Sequence, residues 1–254
     1  MFVTGSADGL GRLSAAQLVS EGHEVVLHAR SAARGREAVD AVPGAAGVLT
    51  ADLSSIAQTR ALAEQANASG PFDAVIHNAA LGYQVSGRSE TEDGLAALFA
   101  VNVLAPYLLT ALMTRPQRLV YMSSGMHTGG DPSLEDLQWR DRRWSGTQAY
   151  SDSKLFDLAL ALAVARRWPG VRSNAVTPGW VATRMGGAGA PDDLALGADT
   201  QAWLAVSEDP AAQVSGRYLY HRTERPFDPA ASDPALQDGL LQACAELSGV
   251  TFPD

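Results

Sequence analysis

The chain has 254 residues, 46% of them hydrophobic and 19% charged, which is the composition of a folded globular protein with a sizeable core. Its 19 Lys/Arg against 28 Asp/Glu give a net charge of -9, which excludes non-specific attraction to nucleic acid or anionic membranes. One cysteine, Cys244, leaves no partner for an internal disulfide and no thiolate cage, and the five histidines lack ligand spacing, so no metal site is expected.

Short β-branched runs alternate with amphipathic helices along the chain, the pattern of βα units feeding a parallel sheet. The opening Met1-Phe2-Val3-Thr4-Gly5 has no basic leader or long apolar core, so no signal peptide is expected. Phe2–Thr4 is the first strand, unusually short, and it runs into Thr4-Gly5-Ser6-Ala7-Asp8-Gly9-Leu10-Gly11 before a helix over Leu10–Glu21. Gly5 permits a tight turn, Gly9 lets backbone approach a pyrophosphate, and Gly11 allows close helix–sheet packing. Amides at the helix start suit phosphate charge, and Asp8 stands at the capping position.

A second strand, Glu24–Ala29, ends in Leu27-His28-Ala29-Arg30. A carboxylate is common here in domains that hold an unphosphorylated ribose; this chain offers Arg30 instead, with Arg34 and Arg36 close behind. Guanidinium groups match a 2′-phosphate, so NADP(H) is favoured over NAD(H). Helix Ala32–Ala41, strand Gly47–Thr50, helix Ile56–Ala68, strand Ala74–His77 and helix Glu92–Met113 follow. Ser31, Ser55 and Thr91 suit N-caps, while Gly22 and Gly70 suit left-handed helix ends.

After strand Arg118–Ser123 comes an insertion, Gly125 to Gly146, carrying Met126, His127, Trp139 and Trp144. It falls at the carboxyl end of the sheet, where open α/β sheets bind ligands. These residues either form an aromatic mouth for an apolar substrate or pack onto their own domain. His127 is either a second acid or a plain loop residue. The arginines 140, 142 and 143 read as a solvated loop.

Helix Gln148–Trp168 holds Tyr150 and, four residues on, Lys154, the chain's only lysine among 19 cations. That spacing puts phenol and ammonium on one helix face. Free tyrosine titrates near 10, roughly 4 kcal/mol from neutrality. A cation about 4 Å away contributes on the order of 4 kcal/mol at an effective dielectric of about 20. The most apolar run, Leu155 to Ala165, is too short to span a bilayer and is interrupted by Asp157. Strand Arg172–Thr177, helix Thr200–Val206, strand Arg217–Tyr220 and helix Pro234–Leu247 complete the pattern. Cys244 reads as a small buried side chain. Loops are expected at Gly186–Asp193 and Thr223–Asp233, with Met185 at the edge of a lid. The expected architecture is a single-domain α/β Rossmann fold over residues 1–254. It is a doubly wound, seven-stranded parallel sheet with helices on both faces.

These motifs resemble the short-chain dehydrogenase/reductase family over nearly the whole chain. Residues 4–11 match its Thr-Gly-x-x-x-Gly-x-Gly signature, which implies that Gly5, Ser6, Asp8, Gly9, Leu10 and Gly11 line the cofactor. Asp52-Leu53 resembles the adenine-contacting Asp after the third strand. His77-Asn78-Ala79-Ala80 resembles Asn-Asn-Ala-Gly in part, assigning Asn78 and Ala79 to the cofactor. Asn102, Ser124, Tyr150 and Lys154 match the catalytic set. Pro178-Gly179 with Val181 and Thr183 resembles the loop that holds the nicotinamide carboxamide. The long interval from Ser124 to Tyr150 and the tail Gly216-Arg217-Tyr218-Leu219-Tyr220 resemble the retinol-dehydrogenase-like and WW-domain-oxidoreductase-like branch.

The resemblance implies that Tyr150 exchanges a proton with the substrate oxygen and that Ser124 hydrogen-bonds that oxygen. It further implies that Lys154 eases ionisation of Tyr150 and binds nicotinamide ribose, and that Asn102 holds a water linking Lys154 to solvent. The expected activity is NADP(H)-dependent reduction of a small-molecule ketone or aldehyde. The alternatives are NAD(P)-dependent alcohol oxidation and a non-catalytic dinucleotide sensor. A cytoplasmic protein is expected, with no membrane insertion. The family's pairing of the helices over Glu92–Met113 and Gln148–Trp168 implies a homodimer or homotetramer.

Overall fold

A computed structural model describes residues 1–84 and 86–254. Its strands are β1 (Phe2–Val3), β2 (Val26–Ala29), β3 (Gly47–Thr50), β4 (Ala74–His77), β5 (Arg118–Met122), β6 (Arg172–Val176), β7 (Tyr218–Tyr220) and β8 (Thr223–Glu224). They form one sheet in the order β3-β2-β1-β4-β5-β6-β7-β8. Every pairing is parallel except β7 with β8. The sheet thus has eight strands where the sequence pattern predicts seven. The two-residue β8 is exposed and too short to carry an alternating signal.

Both faces are covered because strand residues alternate between two apolar layers. Phe2, Val75, Leu119, Ala175 and Tyr218 join the larger core, whereas Val3, Ile76, Val120, Val176 and Leu219 join the other. The second layer is closed by α1 (Gly9–Ser20), α2 (Ala32–Ala41) and α7 (Leu194–Val206). The larger layer is closed by α3 (Ile56–Ala68), α5 (Ala105–Leu112), α6 (Gly146–Arg167) and α8 (Pro234–Ser248). Cys244 is buried there as a free thiol.

The expected helix over Glu92–Met113 is broken. Thr91 caps nothing; its hydroxyl accepts from Leu95 N–H in a turn, and a short helix α4 begins at Ala97 and ends at Phe99. A π-turn then spans Ala100–Leu104, closed by Ala105 N–H to Ala100 O, before α5. Pro106 supplies the reason. It has no N–H for the carbonyl four residues back, that of Asn102, and its ring crowds that position. Helix α7 starts at Leu194, six residues before the predicted start, because Asp193 caps it by accepting from Leu196 N–H. Ser31 and Ser55 do cap α2 and α3, and Gly22 and Gly70 do take positive φ.

Helix α6 is the axis of the larger layer. Every residue from Ala149 to Val164 is buried within this one chain. Helix α8 and the tail cover the outer side of α5 and α6: Tyr107 Oη donates to Val250 O at 2.7 Å, and Trp168 stacks on Phe252 at 4.9 Å. No helix among the described residues is long and apolar enough to cross a membrane.

Candidate active site

The strand order reverses between β1 and β4, so the crevice beyond the strands' carboxyl ends opens there. The glycine-rich turn occupies it. Gly5 and Gly9 have φ of 63° and 55°, conformations that favour glycine. A Cβ at Gly5 would meet the Ala79 backbone at 2.8 Å, and one at Gly11 would strike the Asn78 amide and Gly5 O. By contrast, a Cβ at Gly9 would meet only Thr183 Cγ2, at 3.9 Å, in the gap between this turn and the loop after β6. The α1 amides are also uncapped, since Asp8 makes no capping hydrogen bond. Instead its carboxylate pairs with Arg34 at 2.7 Å and Arg184 at 3.6 Å. This corrects the capping role expected for Asp8. Two attractive guanidinium groups outweigh one helix-terminal amide.

Residues behind the turn hold its shape. Asn78 Nδ2 donates to Thr4 O at 3.0 Å and Gly5 O at 3.2 Å. The Thr4 hydroxyl accepts from Asn78 N–H and Ala79 N–H. Ser6 is fully buried; its hydroxyl donates to Val3 O and accepts from His28 N–H, so the side chain is spent inside the fold. Leu53 is likewise core, while Asp52 accepts from Ser54 N–H and Oγ at the end of β3.

His28 adds a contact that no local spacing encodes. Its Nδ1 accepts from Gly5 N–H at 3.0 Å and its Nε2 lies 3.0 Å from Ala51 O, so the neutral Nε2–H tautomer ties the turn to β3. Burial pushes this imidazole down to about 4, against weaker opposing pulls from Ala51 and Asp52. Further out, Arg30 and Arg36 are exposed, and Arg34 is half-buried against Asp8.

The second group gathers where β5 ends. Tyr150, only 6% exposed, forms a small apolar cluster with Leu98, Trp139 and Ala149. Leu81, Tyr83, Met126, Trp144 and Met185 pack against it. The Tyr83 ring meets the Tyr150 ring edge-on at 5.7 Å, and Gln84 Nε2 donates to Met185 O at 3.1 Å. Four of the five residues expected near substrate therefore surround Tyr150. The fifth does not. His127 is buried, Nδ1 against Ser124 O at 2.7 Å and Nε2 accepting from Asp228 N–H at 3.1 Å, with Tyr218 edge-on. Both ring nitrogens are committed, so a role for His127 as a second acid is overturned.

The insertion is anchored to α6. Arg142 lies 2.8 Å from the buried Asp152 and stacks 3.7 Å over Trp139, with Asp131 and Asp136 close by. It is an anchoring residue, not the solvated one expected. Trp139 is held at φ 54°, an outlier for a bulky residue, by that stack and by Trp144 edge-on at 5.4 Å.

Lys154 is 2% exposed. Its Nζ donates to Met122 O at 2.7 Å and Asp157 Oδ2 at 2.6 Å, and lies 5.7 Å from the Tyr150 ring centroid. Asn102, in the π-turn, accepts from Leu81 N–H and donates to Leu81 O and Ser153 Oγ. Ser153 Oγ in turn donates to Tyr150 O. Ser124 is partly exposed and accepts from Met126 N–H. Thr177 Oγ1 accepts from Gly125 N–H and Gly179 N–H, which joins the Ser124 loop to Pro178-Gly179. Val181 is buried and bridges Asp192, while Thr183 Oγ1 accepts from Gly186 N–H. No His/Cys/Asp/Glu group among the described residues is arranged to hold a metal.

A family model described as Enoyl-(Acyl carrier protein) reductase matches residues 5–213. An uncharacterized oxidoreductase, AN7799, of Emericella nidulans is 46% identical over 100% of this chain and 98% of that protein. A Streptomyces protein with the provisional name daunorubicin C-13 ketoreductase DnrU is 33% identical over 99% and 93%. Retinol dehydrogenase 14 of Mus musculus is 30% identical over 98% and 86%. A crystal structure of a Mycobacterium paratuberculosis protein superposes with a TM-score of 0.84 at 28% identity, covering 100% of this chain and 94% of that one. With a nucleotide-type crevice, a Tyr-x-x-x-Lys pair beside it and relatives across its whole length, this chain is an enzyme that belongs to the short-chain dehydrogenase/reductase family of nicotinamide-dependent oxidoreductases, akin to its retinol-dehydrogenase-like branch.

Proposed function

We propose that residues 1–254 form one cofactor-binding and catalytic unit that reduces an apolar ketone or aldehyde with NADPH. One observation carries this reading: Tyr150 sits in an apolar, aromatic cluster with a buried ammonium 5.7 Å from its ring centroid. The glycine turn fits a dinucleotide, because its first-turn amides are uncapped and Gly9 leaves room that a side chain would fill.

Gly5, Gly9, Leu10 and Gly11 would face the pyrophosphate, and Asp52, Leu53, Asn78 and Ala79 would bound the adenosine. Arg30, with Arg34 and Arg36, would meet a 2′-phosphate. Lys154 would reach nicotinamide ribose, and Pro178, Gly179, Val181 and Thr183 would bracket the carboxamide. The bound cofactor supplies the hydride.

The chain supplies the rest. Ser124 orients the carbonyl oxygen by a hydrogen bond, and Tyr150 gives that oxygen its proton. Asn102 fixes Ser153 and, through it, the turn of α6 that carries Tyr150. Trp139, Trp144, Tyr83, Met126 and Met185 exclude water and favour a bulky apolar substrate. The ketoreductase name of the Streptomyces relative agrees with the reductive direction.

A panel of aryl ketones and aldehydes, followed by NADPH consumption, tests this. Turnover of at least one aryl ketone with NADPH, and slower turnover with NADH, is the expected result. Oxidation of neither cofactor by any member refutes the reading.

A further inference from the structure

The sequence places an acid, Asp157, in the most apolar stretch of the chain, three residues after its only lysine. In the fold both side chains are buried, at 3% and 4% exposure, with Lys154 Nζ 2.6 Å from Asp157 Oδ2. The cation that sequence reasoning treats as a lone charge beside Tyr150 is thus half of an ion pair. We propose that Asp157 is a positioning residue that orients the Lys154 ammonium and screens its field at Tyr150, thereby setting the pH range over which Tyr150 can exchange protons. This inference rests on the proposed role of Tyr150.

Lysine has three N–H donors and no acceptor. Met122 O and Asp157 fix two of them, leaving one for the crevice. The geometry also ranks the two charges. The ammonium lies 5.7 Å from the Tyr150 ring. Asp157 is seven residues along the same helix from Tyr150, one turn beyond Lys154, and its carboxylate, 2.6 Å from the ammonium, lies within about 8 Å of the ring. The nearer cation dominates, and the anion subtracts part of its effect.

The other titratable groups facing the pair do not duplicate this. Tyr121 of β5 shares its hydroxyl with Thr110, and burial raises its pKa. His77 of β4 lies behind it and is pushed down to about 3 by burial. Tyr218 of β7 is raised to about 12, chiefly by burial. His127, over Ser124, is lowered by burial. Asp157 is itself raised to about 6, because burial outweighs the attraction of Lys154.

Titrating tyrosinate absorbance in the cofactor-free chain, with Tyr150→Phe as the subtracted reference, reads Tyr150 directly. Asp157→Asn keeps size and hydrogen bonding but removes the charge, and Asp157→Glu keeps the charge. For Asp157→Asn the Tyr150 transition is expected about one to two pH units lower, from an anion within about 8 Å at an effective dielectric of about 20. Asp157→Glu is expected to stay near the wild type. A transition in Asp157→Asn that is unmoved or moved upward overturns the proposal. If Asp157→Asn does not fold, Asp157→Ser carries the same prediction and the same refutation. Failure of the wild type to reduce any carbonyl refutes the enzymatic reading instead, so the two failures are told apart.

Discussion

The glycine-turn crevice and the aromatic cluster around Tyr150 both lie at the carboxyl ends of the strands, yet they are built differently. The crevice starts from a local motif, which Asn78 and His28 brace from elsewhere in the chain. Within residues 4–11, three glycines and one helix start create its shape, and the backbone does most of the work. The cluster is long-range. The loop carrying Tyr83 and Gln84 meets Tyr150 of α6 and Met185, 101 residues on from Gln84, while Arg142 ties the insertion to Asp152 of α6. A backbone cradle suits a cofactor shared across a family, whereas a side-chain mouth can be re-cut for each substrate.

The largest expected effect on stability tests the turn that His28 ties to β3. His28 is held neutral at about 4 and His77 at about 3, against about 6.5 in an unfolded chain. Their folded pKa values are depressed, so the stability they contribute is full above pH ~6.5 and lost as pH falls through about 4. Asp157 opposes them, gaining stability as pH falls through about 6. Two histidines outweigh one carboxylate, leaving a net loss of about 3 kcal/mol between pH ~6.5 and ~4. Urea unfolding across that range measures it, and a flat profile would count against the His28 clamp.

The cluster is broken by Arg142→Ala. That change leaves Asp152 buried without its cation and Trp139 without its stack. A stability loss of about 2 kcal/mol is expected, less than for a fully buried pair because Arg142 is partly exposed and Asp152 keeps Gln148. Kinetics should show KM for a ketone raised severalfold and NADPH affinity unchanged. Equal losses for ketone and cofactor would show that the two regions are not separable.

The smallest effect sharpens the crevice alone. Arg30→Ala is expected to reduce the preference for NADPH over NADH by about tenfold, one charge-assisted contact's worth of binding. Fluorescence titration with both cofactors checks it. No change in the ratio would move the 2′-phosphate site to Arg34 or Arg36.

The same contrast explains what was legible in the sequence. The glycine turn, Ser31, Ser55 and the strand alternation were readable because each depends on neighbours a few residues away. Pro106 carries a readable signal, since a proline inside a helical pattern breaks its hydrogen bonds. It places the π-turn at Asn102. His28, Tyr83 and the Arg142 anchor were not readable. Their roles depend on partners 20 or more residues away or on burial that no spacing encodes, as with His28 and Ala51. Asp157 lies between these cases. Its i,i+3 spacing from Lys154 in an apolar helix is readable, but only packing shows that the pair is buried.

The proposed proton transfer by Tyr150 is separable from the proposed cofactor binding at the glycine turn. Comparing wild type with Tyr150→Phe tests it, using NADPH-dependent reduction of an accepted aryl ketone beside NADPH binding by fluorescence. A loss of turnover on the order of 1,000-fold is expected, with NADPH affinity within about threefold of wild type. A variant that keeps turnover within about tenfold of wild type while binding NADPH normally would contradict it.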